Sequence, residues 1–191
     1  NLPYFLSALI ALGVAPWIST KLGKKRGGML TLAISFGMAP MPYILRLLGW
    51  FPENGTDALF WTLVVFNALE VTLIIIAASL VAAMIADIVE DSEVKTGRRS
   101  EGIFFAANSF AQKAVNGLGV VVAGQILAII QFPTQAKPGD VPASTIADLA
   151  IYYIPVIFFF YILALAVLSL YKINRAGHEA NLRQLADSQR P

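Results

Sequence analysis

An all-α membrane protein with five transmembrane helices is the fold class that this sequence predicts, and three observations carry the prediction. Of 191 residues, 57% are hydrophobic and only 14% are charged, with a mean hydropathy of +0.68. A soluble domain of this length is rarely so apolar. The apolar residues gather into five blocks, each long enough to cross or nearly cross a hydrocarbon core about 30 Å thick. The breaks between blocks hold the charges and turn residues, and the positive charges concentrate in alternate breaks.

The first block, Leu2 to Ile18, is at the short limit for a span and ends at Ser19 and Thr20. It lacks the basic start and small-residue cleavage site of a signal peptide, and reads as a helix entered part-way. A tight basic turn, residues 21–28, carries Lys21, Lys24, Lys25 and Arg26 between glycines. The second block, Met29 to Leu48, contains Gly37, Pro40 and Pro42 and should kink, because proline removes a backbone donor and clashes with the preceding turn. Gly49 to Asp57 is a short loop with Trp50 at the interface.

The third block, Ala58 to Ala86, is longer than one crossing requires, so it should tilt or project beyond the membrane. A charged loop follows, and then the fourth block, Gly102 to Ile130. Its Gly117, Gly119 and Gly124 allow close helix contact. Residues 131–148 form a proline-rich loop. The fifth block, Leu149 to Tyr171, contains Pro155 and an interfacial Tyr152–Tyr153 pair. The bundle therefore occupies residues 1–173, and residues 174–191 form a polar, helix-prone tail.

Eleven positive residues fall on one side: the four of the first turn; Lys95, Arg98 and Arg99; and Lys172, Arg175, Arg183 and Arg190 in the tail. The opposite loops carry only Lys137, and Arg46 and Lys113 lie inside blocks. The positive-inside rule then places the basic loops and the C-terminus in the cytoplasm and the N-terminus of the chain outside.

Other classes of function are excluded by composition. A formal charge of +2 is too small to attract nucleic acid. Without cysteine there is no disulfide, thiol nucleophile or thiolate metal site. The single histidine, His178, sits in the polar tail and reads as a solvated side chain rather than a ligand. No phosphate-cradling glycine loop, metal-ligand cluster or nucleophile–histidine–acid set is present, so an enzyme is not expected, nor a cofactor.

The polar residues inside the fourth block are the main functional signal. Asn108, Gln112 and Asn116 recur every four residues and form one row of a helix, with Ser109 and Lys113 on the adjoining row. Lys113 lies eleven residues past Gly102, roughly 16 Å deep at about 1.5 Å per residue. A stripe like this faces protein or a water-filled cavity, because lipid cannot satisfy it. It reads either as a polar ligand pathway, with Lys113 holding a carboxylate, substrate or ion network, or as an interhelical hydrogen-bond seam. In the third block, Asn67 and Glu70 share a face at mid-depth. Glu70 is a candidate for proton coupling or, equally, a paired structural group. In the charged loop, Asp87 or Asp91 is expected to pair with Arg98 or Arg99, clamping helix ends in one conformation and releasing them in another.

The run Asp87-Ile-Val-Glu-Asp91, then Lys95-Thr-Gly97-Arg98-Arg99, Glu101-Gly102, and Phe110 three residues before Lys113 resembles the glycoside–pentoside–hexuronide:cation symporters. These are the melibiose-permease group of the major facilitator superfamily. The basic turn at residues 21–26 is similar to that group's cytoplasmic loop between helices eight and nine. The resemblance implies that the five blocks are helices eight to twelve, and that Lys113 matches a helix-eleven lysine linked to sugar and cation sites. It implies symport of a sugar- or glycoside-like solute with sodium or protons by alternating access, in the bacterial inner membrane. Its partners would be the lipid bilayer, the solute and an N-terminal half, with its acidic residues in helices two and four, that this chain lacks. Two other functions remain open at this stage: a non-transporting membrane scaffold or degenerate paralogue, and a carrier of another solute such as a lysophospholipid.

Overall fold

The structure, a computed structural model, describes residues 2–133, 135, 141–173, 177, 179, 181 and 184. Lys137, Arg175, His178, Arg183 and Arg190, and with them most of the tail, lie outside the described residues.

Six α-helices follow one another among the described residues: α1 (Leu2–Leu22), α2 (Lys24–Met38), α3 (Met41–Leu47), α4 (Asp57–Thr96), α5 (Glu101–Ile129) and α6 (Ala143–Ser169). Taking α2 and α3 together, five segments are long and apolar enough to cross a membrane. All the tertiary packing is helix on helix. The expected kink in the second block is a break at Ala39–Pro40, after which Pro42 starts α3 in the first-turn position where a missing N–H costs nothing.

The basic turn is tighter than the sequence suggested. The backbone remains helical through Leu22 and again from Lys24, so Gly23 alone, at φ 79°, reverses the chain. That left-handed angle suits glycine, which has no Cβ to clash.

α4 is the spine. Its 40 residues reach about 60 Å at about 1.5 Å per residue, twice the hydrocarbon thickness, so it must project beyond the membrane. Thr56 caps its start by accepting a hydrogen bond from the Leu59 amide at 3.2 Å, and Gly97, at φ 69°, ends it. α1 and α2 pack along α4, and α6 packs on α2. Between α1 and α4 lies a small core of Ala11, Ala15, Ile76 and Leu80, where alanines let the backbones approach. The Ser7 hydroxyl donates across this seam to the Ala68 carbonyl at 2.8 Å.

Gly27 and Gly28 are buried where α2 meets its neighbours. A Cβ on Gly27 would collide with the Ile18 side chain, and one on Gly28 would sit 3.2 Å from Leu168. Phe36 stacks against Phe158 at 4.6 Å between centroids and joins α2 to α6, while Tyr43 and Tyr153, at 4.8 Å, join α3 to α6. α5 stands apart. It touches only α4 and α6 to any extent, and Ile126 is its one buried residue.

Candidate functional site

The polar stripe lies on the helix that the rest of the bundle leaves uncovered. Gln112, Lys113 and Asn116 are exposed, as is Ser109, and Asn108 is half-buried. Val115, Leu118 and Val120, on the same stretch, are also exposed. None of the polar side chains makes a hydrogen bond or ion pair with another described residue. An ammonium and a row of amides on an open face of an apolar helix long enough to span a membrane are stable only where a further surface or a hydrated cavity meets them. The four-residue spacing, not any tertiary contact, gathers them: successive amides fall one turn apart and point the same way. Chemically they can donate and accept along a line of hydroxyl-sized groups, with a single fixed cation beside them.

Glu70 faces elsewhere. Its carboxylate lies in the neighbourhood of Tyr161 of α6, Tyr43 of α3 and Tyr153 of α6, with Ser35 of α2 beside Tyr161. Ser35 is buried, and Phe36 flanks Tyr161 with centroids 6.1 Å apart. Lys113 is not among the neighbours of Glu70, so the two charged residues do not form one site among the described residues. Asn67, on the turn before Glu70, is exposed. Tyr153 and Tyr161 lie more than 80 residues further along the chain and Tyr43 lies 27 residues before Glu70, and no local pattern around Glu70 announces them.

The charged loop pairs differently from the expectation. Asp87 takes Lys24 of the basic turn, Nζ to Oδ1 at 2.5 Å, rather than Arg98 or Arg99. The Tyr171 hydroxyl donates to Asp87 Oδ2 at 2.6 Å, and Lys24 also reaches the Ala83 carbonyl at 3.4 Å. Asp91 pairs with Lys95 one turn along α4, at 2.6 Å. Arg99 bridges Glu93 and Glu101, at 3.2 Å each. The reason is geometric. α4 continues to Thr96, which carries the arginines at least about 14 Å beyond Asp87 at about 1.5 Å per residue. Arg98 is exposed.

Asp87 is a buried acid, with only 4% of its side chain accessible, held at the meeting of α2, α4 and the end of α6. Burial above all, then the bonded Asp87 carboxylate, pushes the Tyr171 hydroxyl well above the ordinary phenol range. Lys25 completes the knot by donating to the Ser169 and Tyr171 carbonyls at 2.7 and 2.6 Å, where the last turn of α6 leaves carbonyls without helical partners. Lys24, Lys25 and Tyr171 escaped the sequence reading. Their only signal was the density of the basic turn, which gave no hint of a buried acid 63 residues on.

A family model described as MFS/sugar transport protein matches residues 1–175. Among known proteins, the chain is similar to an uncharacterized symporter of Synechocystis sp., 32% identical over 141 residues, which is 71% of this chain and 25% of that protein. It is similar to a putative glycoside/cation symporter of Escherichia coli, 32% identical over 102 residues, 53% of this chain and 22% of the relative. It is also similar to an isoprimeverose transporter of Lactiplantibacillus pentosus, 30% identical over 124 residues, 64% of this chain and 24% of the relative. The chain thus spans about a quarter of the length of these relatives. No solved structure matches it.

Proposed function

This chain belongs to the MFS/sugar transport protein family, and from that premise we propose that it supplies five C-terminal helices of a cation-coupled symporter. The solute is a sugar or glycoside, in keeping with relatives named as a glycoside/cation symporter and an isoprimeverose transporter. The coupling ion is sodium or a proton.

The uncovered polar face of α5 is the observation that carries this reading. Five polar side chains, one of them a lysine at mid-depth, occupy a face that no other described helix fills. A transporter needs such a surface. Sugar hydroxyls are both donors and acceptors, which the amides of Asn108, Gln112 and Asn116 match, and Lys113 supplies the charge to hold a carboxylate or repel a cation as the site changes occupancy. An opposing six-helix half would close the cavity over this face. The basic loops would lie in the cytoplasm, and alternating access would open the cavity to one side at a time.

Glu70 supports a different role, that of joining helices. Its partners belong to α2, α3 and α6, so it would hold the scaffold that presents α5 rather than touch the solute. Transport rather than chemistry is the activity this arrangement serves.

The test is uptake by the intact protein in vesicles, with labelled glycosides and imposed sodium or proton gradients. Lys113→Ala is expected to abolish coupled uptake while membrane abundance is kept. Uptake at the wild-type rate by that variant would overturn the assignment of α5 as the solute face.

A further inference from the structure

Beside the Lys24–Asp87 pair, at the basic end of the bundle, lies a cavity of about 940 Å³ that transport does not explain. It is enclosed by the end of α1, the start of α2, Asp87 of α4, and the chain leaving α6. Among the described residues, five cations line it: Lys21, Lys24, Lys25, Arg26 and Lys172. Against them stand, among the described residues, two acids: Asp87, already paired with Lys24, and Glu179. Lys25 spends its hydrogens on carbonyls but keeps its charge. Lys21, Arg26 and Lys172 are exposed and make no ion pair with a described residue.

We propose that this cavity binds the headgroup of an anionic glycerophospholipid from the membrane leaflet at the basic end. Three features select that ligand. The excess of positive charge calls for an anion, and basic pockets between transmembrane helices are suited to phosphate headgroups. α2 begins here without a side-chain cap, so the first-turn amides add hydrogen-bond donors for an oxyanion.

The third feature separates a lipid from a soluble anion. Leu22, 40% exposed, lines the cavity, and Trp17 and Leu170, close to lining residues along the chain, are exposed apolar side chains at 60% and 72%. Trp17 lies one turn before Lys21 on the same face of α1, the arrangement of an interfacial aromatic above a cation. A phosphodiester among the cations would therefore leave its acyl chains against the apolar flank of α1 and α6. A free phosphate has no use for that flank.

The inference does not depend on transport, and its test reads lipid binding alone. The intact protein, purified in detergent, is titrated with phosphatidylglycerol and with phosphatidylcholine, and bound lipid is counted by native mass spectrometry. Saturable retention of phosphatidylglycerol over phosphatidylcholine is expected. Lys21→Gln with Arg26→Gln should weaken it about 30-fold, each charge being worth about a factor of five at a membrane surface. Both side chains are exposed, so the melting temperature in phosphatidylcholine should not change. Should that variant fold poorly, Lys172→Gln probes the same cavity from the other side and should weaken retention about fivefold. Equal retention of the two lipids, or unaltered retention by the variants, would overturn the proposal. Displacement of the lipid by inorganic phosphate at comparable concentration would also overturn it, by assigning the cavity to a soluble anion.

Discussion

Lys24 and Asp87 meet at 2.5 Å across the start of α2 and the second half of α4, and the Tyr171 hydroxyl occupies the other carboxylate oxygen at 2.6 Å. Three helices that cross the membrane separately are thereby tied at one end. The acid is buried while the lysine is about a quarter exposed, so the two partners are not equivalent.

Removing the lysine should cost more than removing both partners. Lys24→Met strands a buried carboxylate, for which about 3 kcal/mol is the expected loss, the lower end for a buried pair because Tyr171 still donates. Lys24→Met with Asp87→Leu leaves no uncompensated charge and should recover most of that loss. Thermal unfolding of the intact protein in detergent measures both. A double variant as unstable as the single would show that the pair is not held by charge.

Tyr171→Phe should remove a hydrogen bond to a charged group, worth about 1.5–3 kcal/mol. It should also alter the response to alkali. The Tyr171 hydroxyl sits above the ordinary phenol value of about 10. The unfolded chain therefore releases that proton first, and stability that is fully present below about pH 10 is lost as the pH rises toward the folded value. Melting temperature followed from pH 8 to 11 should fall less steeply above about pH 10 in Tyr171→Phe than in the wild type. Parallel curves would refute the linkage.

Gly27→Ala should be destabilising by about 1–3 kcal/mol, because its Cβ would overlap Ile18 in a packed seam. Gly37→Ala is the control. Nothing lies within 4 Å of its Cβ, and alanine is the better helix former by about 1 kcal/mol, so it should be neutral or stabilising. Similar losses at both positions would indicate a general cost of substitution in α2 rather than close approach.

Arg99→Ala should leave the melting temperature unchanged, because both of its ion pairs are at the surface and such pairs contribute little. Its effect is expected in transport instead, as a lower maximal rate with little change in apparent affinity for the solute. Rate measurements over a range of solute concentrations separate the two, and a pure affinity loss would argue against a role in conformational exchange.

Glu70→Gln keeps a polar group beside Tyr161, whereas Glu70→Ala removes it. If Glu70 joins helices, the glutamine variant should keep normal uptake and membrane abundance and the alanine variant should lose abundance. Abolished uptake by an abundant glutamine variant would instead make Glu70 a titrating group in coupling.

The amino-acid sequence by itself determined the helical class, the five crossings and the alignment of the α5 amides. Those follow from the length of apolar blocks and from a 3.6-residue repeat, both local properties of the chain. The break at Pro40 and the projecting length of α4 were legible for the same reason. Partner choice was not. Asp87 was expected to find Arg98 or Arg99 in the loop that follows, yet α4 continues straight to Thr96 and carries them away, while a single-residue turn at Gly23 brings Lys24 alongside. Whether Glu70 faced Lys113 or the tyrosines of α3 and α6 depended on the rotation of α4 within the bundle, which the packing of Ala11 and Ala15 on Ile76 and Leu80 sets. Spacing along a helix tells which residues share a face. Only the packing of one helix on another decides what that face meets.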